Sequence, residues 1–302
     1  MRKAHTLSGI TLLVALLASA PGAIAQAPRI SVKIISTFDY PSAVYVILGT
    51  GQINNTGKYV GGVRDTAGSV YGFTANVSGN FSQPFGFPGG FGNFTEANGI
   101  RRGGEVCGSY VAEEGSRGFF RSGSSFQSYS APFEGGVPTA VNSINDAGDF
   151  VGDYYVSPSL LAFAVIDEAF ITIPLSGISP EATGINNVGQ VIGNYFDDSL
   201  TSQHGFLRAA DGTITAPADF RGADTTLPRA INDAGYIVGL WTDNRKAEHA
   251  FVMKLPDTFL AYDMPSADIT DFTGINNAGQ ICGFWQDPHG QRHVLIAQLQ
   301  TQ

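Results

Sequence analysis

Gly184-Ile185-Asn186-Asn187-Val188-Gly189-Gln190-Val191-Ile192-Gly193 decides the fold, because the chain keeps returning to it. The same frame stands at Gln52-Ile53-Asn54-Asn55-Thr56-Gly57, Gly99-Ile100-Arg101-Arg102-Gly103-Gly104 and Ser143-Ile144-Asn145-Asp146-Ala147-Gly148. It recurs as Ala230-Ile231-Asn232-Asp233-Ala234-Gly235 and Gly274-Ile275-Asn276-Asn277-Ala278-Gly279. From Ile53 to Ile275 the isoleucines lie 47, 44, 41, 46 and 44 residues apart. Such a period marks supersecondary units stacked on one another, and four short strands fit within one unit.

Working outward from the isoleucine, a first strand ends there and the Asn-Asn/Asp-x-Gly beyond it is a hairpin turn. Asn and Asp bond their own backbone, and the Gly takes the left-handed conformation that closes the loop. A second strand follows, apolar on both faces as befits a strand sandwiched between sheets. It carries a repeated glycine (Gly61, Gly108, Gly152, Gly193, Gly239, Gly283). Two residues on stand Val63, Tyr110, Tyr154, Tyr195, Trp241 and Trp285. A missing side chain beside an aromatic is expected to let a neighbouring sheet approach. The third strand opens with Tyr71-Gly72-Phe73, Arg117-Gly118-Phe119, Leu161-Ala162-Phe163, His204-Gly205-Phe206, His249-Ala250-Phe251 and His293-Val294-Leu295. A short turn such as Asp211-Gly212 then leads to a fourth strand ending near a proline.

The ends of the chain separate a ring from an open stack. The sixth repeat stops after its third strand, at Leu299, while Val32 to Tyr40 reads as a spare fourth strand before the first repeat. The expected fold is therefore all-β, a six-bladed β-propeller of four-stranded antiparallel blades. The N-terminal strand pairs with His293 to Leu299 and closes the ring, which removes exposed edges.

The first 25 residues read as a signal peptide. Arg2 and Lys3 precede the apolar run Ile10 to Ala20, and Ala23-Ile24-Ala25 offers small residues for cleavage after Ala25. Residues 26–302 are then the propeller, placed in the periplasm or outside the cell. Removing Arg2 and Lys3 from 17 basic residues leaves the remainder facing 26 acidic ones. That balance argues against nucleic acid and anionic membrane surfaces as partners. No later apolar run reaches membrane length, and a monomer is expected. Cys107 and Cys282 fall just before the repeated glycine, where other units carry Val60, Val151, Ile192 and Val238. They are expected to be buried free thiols, on blades too far apart to bridge.

The recurring Gly-Ile-Asn-Asn-x-Gly-Gln-x-x-Gly, followed by His-Gly/Ala-Phe, resembles the HAF repeats of bacterial extracellular proteins. The fourth to sixth units match best, from Gly184 to Phe206, Ala230 to Phe251 and Gly274 to Leu295. The second departs at Arg101-Arg102, and the third lacks the His. The resemblance implies secretion and a repeat fold, with no general catalytic assignment.

No nucleophile elbow, His-Glu-x-x-His pair, P-loop or dinucleotide fingerprint occurs, so no cofactor and no metal site are expected. His204, His249 and His293 occupy one repeat position on different blades, and are read as packing and bonding between blades. The turns between second and third strands are the candidate ligand-binding elements. They supply Asp65, Asp197, Asp243, Arg245, Asp287, His289 and Arg292, on the face that frames a propeller's tunnel mouth. Asp is also an ordinary turn former, which is the plainer reading of the same residues. The function expected is a secreted, non-catalytic module that binds a glycan, peptide or protein. The alternative is a polysaccharide lyase or hydrolase with its site at the tunnel mouth. The two differ in whether several Asp, His, Arg or Tyr side chains converge on one spot.

Overall fold

The computed structural model describes residues 30–42, 45–134 and 136–301, so the signal-peptide reading lies outside the described residues. β1 (Ile30–Phe38) precedes the repeats. The first unit holds β2 (Tyr45–Ile53), β3 (Lys58–Asp65) and β4 (Val70–Asn76). The second holds β5 (Thr95–Ile100), β6 (Val106–Ala112), β7 (Gly115–Ser122) and β8 (Ser125–Tyr129). The third holds β9 (Thr139–Ile144), β10 (Phe150–Val156), β11 (Ser159–Ile166) and β12 (Ala169–Thr172). Next come β13 (Ile178–Ile185), β14 (Val191–Phe196), β15 (Gln203–Arg208) and β16 (Ile214–Thr215). The fifth unit is β17 (Thr225–Ile231), β18 (Ile237–Thr242), β19 (Glu248–Lys254) and β20 (Thr258–Tyr262). The chain ends with β21 (Ile269–Ile275), β22 (Gln280–Gln286) and β23 (Arg292–Thr301).

The fold is an all-β propeller with four-stranded antiparallel blades. Its hydrogen bonding does not give six separate sheets. Four stand alone: β5–β8, β9–β12 and β13–β16 with four strands each, and β2–β4 with three. The fifth and sixth units run together as one eight-stranded sheet that also contains β1. Two local causes account for the departure from the sequence expectation. A single parallel bridge, Glu248 to Ile269, joins β19 to β21. In the first unit the fourth strand breaks into isolated bridges, Ala75 to Phe81 and Gly72 to Phe85. Pro84 lies between them and cannot donate to a ladder.

The repeated glycine has a different cause from the one expected. In every unit the pairing of first and second strand slips near the isoleucine, as between Ala97 and Gly99 or between Phe272 and Gly274. The extra residue of this β-bulge is Asn98, Asn142, Thr183, Arg229 or Thr273. The slip drives a first-strand carbonyl into the second strand. A Cβ at Gly108, Gly152, Gly193, Gly239 or Gly283 would lie 1.9–2.1 Å from the carbonyl oxygen of Glu96, Ala140, Glu181, Leu227 or Asp271. The glycine therefore accommodates a carbonyl of its own blade, not the approach of a neighbouring sheet. The third-strand phenylalanines Phe73, Phe119, Phe163, Phe206 and Phe251 are fully buried in the core.

β1 pairs antiparallel with β23, from Ile30 opposite Thr301 to Phe38 opposite Val294. Its partly buried Ile30, Val32 and Ile34 pack on the cluster containing Leu295, Ala297 and Leu299. Beyond it, Tyr40 packs on Phe73 and Phe81 of the first unit. Cys107 and Cys282 are buried free thiols, and burial pushes the Cys107 thiol well above its ordinary range.

The turn asparagines also tie one unit to the next. The Nδ2 of Asn145, Asn186 and Asn232 donates to the main-chain carbonyl of Asn186, Asn232 and Asn276 respectively, and Asn276 closes back onto Asn54. Asn54 donates in turn to the Arg101 carbonyl. Each Oδ1 meanwhile accepts main-chain N–H groups of its own turn, as Asn186 does from Val188 and Gln190. The belt stops at Arg101, whose guanidinium instead pairs with Glu105. Arg101→Asn is therefore expected to add the missing link to the Asn145 carbonyl. One net hydrogen bond is worth about 1 kcal/mol, and the surface ion pair lost is worth little. Urea unfolding would show the gain; Arg101→Ala should show none.

Candidate functional site

The bulge builds the wall of a central cavity of about 650 Å³. Alternation turns the residues two and four before each isoleucine toward the axis, and a bulge re-aims a side chain without ending the sheet. These positions supply Gly49, Gly51, Glu96, Asn98, Ala140, Asn142, Glu181, Thr183, Leu227, Arg229, Asp271 and Thr273 to the lining. The second strand adds Ser109, Asp153, Leu240 and Phe284, and the start of the third adds Glu248 and Arg292. At the opposite end Ile53, Ile100, Ile144 and Ile185, with the turn asparagines, narrow the axis to a gap of about 50 Å³.

Most bulge residues reach the neighbouring unit. Asn98 Nδ2 donates to the Val141 carbonyl, Asn142 Nδ2 to Ala182, Thr183 Oγ1 to Pro228 and Thr273 Oγ1 to Gly51. Arg229 is the exception and meets a side chain, its Nη2 lying 3.4 Å from Asp271 Oδ2. Asp271 is only 2% exposed, and its other oxygen, Oδ1, is buried without a partner, as is Arg229 Nε. Arg292 lies over the Phe284 ring and donates from Nε to Gln286 Oε1.

The acidic residues of the wall feel their burial. Desolvation raises the carboxyls of Glu96, Glu181 and Asp271, and the Arg229 charge pulls the latter two partly back. Asp153 is pushed up to about 7 by burial, against the opposing pull of its hydrogen bond from Asn142; the charge of Glu181 adds to the rise. A carboxyl at that value is part acid and part base at neutral pH.

Of the seven residues expected from the sequence, Arg292 lines the cavity. Asp65 ends β3 and the other five sit in the turns themselves, at the end of the sheets where Glu248 and Arg292 enter the wall. Each turn aspartate accepts main-chain N–H bonds: Asp65 from Ala67 and Ser69, Asp197 from Thr201, Asp243 from Arg245 and Ala247, Asp287 from His289 and Gln291. The Ser199 hydroxyl holds the Asp197 carboxyl below its usual range, and the Ala247 and Gln291 N–H groups do so for Asp243 and Asp287.

The histidines bond within their own blades rather than between them. Nδ1 of His204 and of His249 lies 2.8 Å from Asp219 and Asp263, and His293 meets Asp39 in the same way. The second-strand aromatic stacks on the ring, Trp241 on His249 at 4.7 Å and Trp285 on His293 at 4.3 Å. The end of the fourth strand explains the difference: an Asp stands just beyond it in the same blade, so the imidazole need not cross to the next. Among the described residues no group of three or more His, Cys, Asp or Glu side chains is placed to hold a metal ion.

Apart from Arg292, the residues of the wall were not found from the sequence, although they left a signal. Glu96, Glu181, Arg229 and Asp271 are charges within strands whose ends are otherwise apolar, at two fixed offsets from the isoleucine.

No family model and no curated protein matches the chain. Among solved structures it is similar to TolB from Acinetobacter baumannii, with a TM-score of 0.48 at 12% identity over 88% of this chain and 67% of that one. It is also similar to a mutant of Aleuria aurantia lectin in complex with alpha-methyl-L-fucoside, with a TM-score of 0.49 at 12% identity over 87% of this chain and 93% of the lectin. Among the described residues, no helix is long and apolar enough to cross a membrane.

Proposed function

We propose that this chain is a secreted binding module, akin to the HAF-repeat proteins it resembles, which holds a glycan in its central cavity. Its repeat is read as six blades, the eight-stranded sheet counting as two because one bridge alone joins the pair. The observation that carries the binding reading is the partnerless pair of atoms in the cavity wall, Asp271 Oδ1 and Arg229 Nε. Leaving such groups buried and unbonded costs about 1–3 kcal/mol each, which a ligand hydroxyl or amine recovers where the side chains shift to meet it. Carboxylates, carboxamides and a guanidinium converge there beside Leu240 and Phe284, in a space within the usual range for small ligands. The rim turns bearing Asp65, Asp197, Asp243, Arg245, Asp287 and His289 are assigned to the outward part of a longer ligand.

An oligosaccharide screen by calorimetry tests this. Arg292→Ala is expected to weaken binding tenfold or more, and the pair Asp243→Ala with Asp287→Ala to weaken long oligosaccharides more than disaccharides. Binding unchanged by Arg292→Ala would place the ligand elsewhere. A lyase or hydrolase reading is favoured by one observation, the neutral-range carboxyl of Asp153 beside the charge of Glu181. Such a pair can divide acid and base roles. Release of new chain ends that Asp153→Asn abolishes would establish it.

A further inference from the structure

The charges of the cavity wall are divided unequally. On the side of the fifth and sixth units, each cation has company: Arg229 pairs with Asp271, and Arg292 bonds Gln286 and covers Phe284. On the side of the second to fourth units stand Glu96, Asp153 and Glu181, which, like Glu248 of the fifth, have no Lys, Arg or His in ion-pair contact among the described residues. The groups beside them are Asn98, Asn142, Thr183 and Ser109, which are neutral, and Arg229, whose charge acts on Glu181 without an ion pair. The first unit contributes Gly49, Gly51 and Gln52, which carry no charge.

From this geometry we infer that the ligand of the cavity carries a positively charged nitrogen, an amino sugar in the glycan reading, drawn to the side of the wall that holds Glu96, Asp153 and Glu181. The inference rests on the proposed binding site and narrows its ligand class. A second observation points the same way from across the cavity. Asp271, whose Oδ1 is buried and without a donor, is one more carboxylate in the wall of the same space. A carboxylate shielded from water needs a cation or several donors to remain ionised, and an ammonium supplies both with three N–H groups. A bare metal ion does not fit: no three of these carboxylates are grouped to share one. An organic cation whose other hydroxyls reach Arg229 and Asp271 meets both sides of the wall at once.

The test uses the full chain and four probes: the glucosamine disaccharide, its N-acetylated counterpart, a neutral glucose disaccharide, and spermidine. The glucosamine disaccharide is expected to bind at least tenfold more tightly than its N-acetylated form. Glu96→Gln, Asp153→Asn and Glu181→Gln, singly, should each cut that preference severalfold and together erase it. These variants remove buried charge and should fold at least as well as the parent, which a melting curve checks. If the acetylated and neutral disaccharides bind as tightly as the amine, and Arg292→Ala weakens them, the cation inference falls while the glycan site stands. If spermidine alone binds, and loses affinity in the triple variant, the charge inference stands and the glycan reading falls. Binding by none of the four overturns both.

Discussion

Removal of residues 30–40 is expected to lower the melting temperature by about 8 °C or more and to make the protein aggregate. The strand lost is not a tail. β1 pairs with β23 along its length and buries parts of Ile30, Val32, Ile34 and Phe38. At about 1 kcal/mol for each half-buried apolar side chain, these four contribute about 4 kcal/mol. In a protein of this size 1 kcal/mol corresponds to about 2 °C or more. Asp39 would also leave His293, and Tyr40 would leave Phe73 and Phe81 in the first unit. The exposed edge of β23 would then offer ten residues of unpaired strand to another molecule. Scanning fluorimetry with light scattering, against a control lacking only residues 1–29, decides the matter. A monomer that melts with the control would show that β1 contributes little.

Asp153→Asn is expected to stabilise the protein above neutral pH and to flatten its pH dependence. The folded-state value of Asp153, about 7, lies above that of an unfolded Asp. Its contribution is therefore fully present below the unfolded value near 4 and is lost as pH rises through 7. The whole shift corresponds to about 4 kcal/mol; the carboxyl opens partly onto the cavity, where water screens it, so about 2 kcal/mol is expected. Glu96, Glu181 and Asp271 are raised in the same direction and add to the trend. Asparagine keeps an oxygen for the bond from Asn142 and carries no charge to desolvate. Urea unfolding at pH 5 and pH 8 should show the parent losing stability across that interval and the variant losing less. Parallel curves for the two proteins would mean that Asp153 ionises without cost.

How much of this was legible in the sequence depends on what each residue does locally. The hairpin turns announced themselves, because Asn186-Asn187-Val188-Gly189 combines side chains that bond their own backbone with a glycine at positive φ. The spare strand was legible from counting, since a unit ending at Leu299 lacks what Val32 to Tyr40 supplies. The belt was not. That Asn186 Nδ2 reaches the Asn232 carbonyl depends on the distance between blades, which no single unit encodes. The bulge escaped for a similar reason: a slipped register leaves no mark in a pattern of alternating residues, and its glycine has several possible causes. The turn aspartates drew attention because Asp reads as chemistry and as turn former alike, whereas Arg229 and Glu181 lay inside strands whose ends looked structural.

The bulge has a consequence for how such a protein changes over generations. In the second to sixth units the backbone of the slipped residue is set by the bulge and its glycine, so its side chain can differ as long as it reaches the neighbouring unit. Asn98, Asn142, Thr183, Arg229 and Thr273 occupy equivalent addresses with quite different chemistry, and the scaffold around each is the same. Recognition in the proposed site is therefore modular. Exchanging one such side chain rewrites one sector of the axial chamber and one bond to the next unit, so a descendant can alter the chamber through a few codons without redesigning a single sheet.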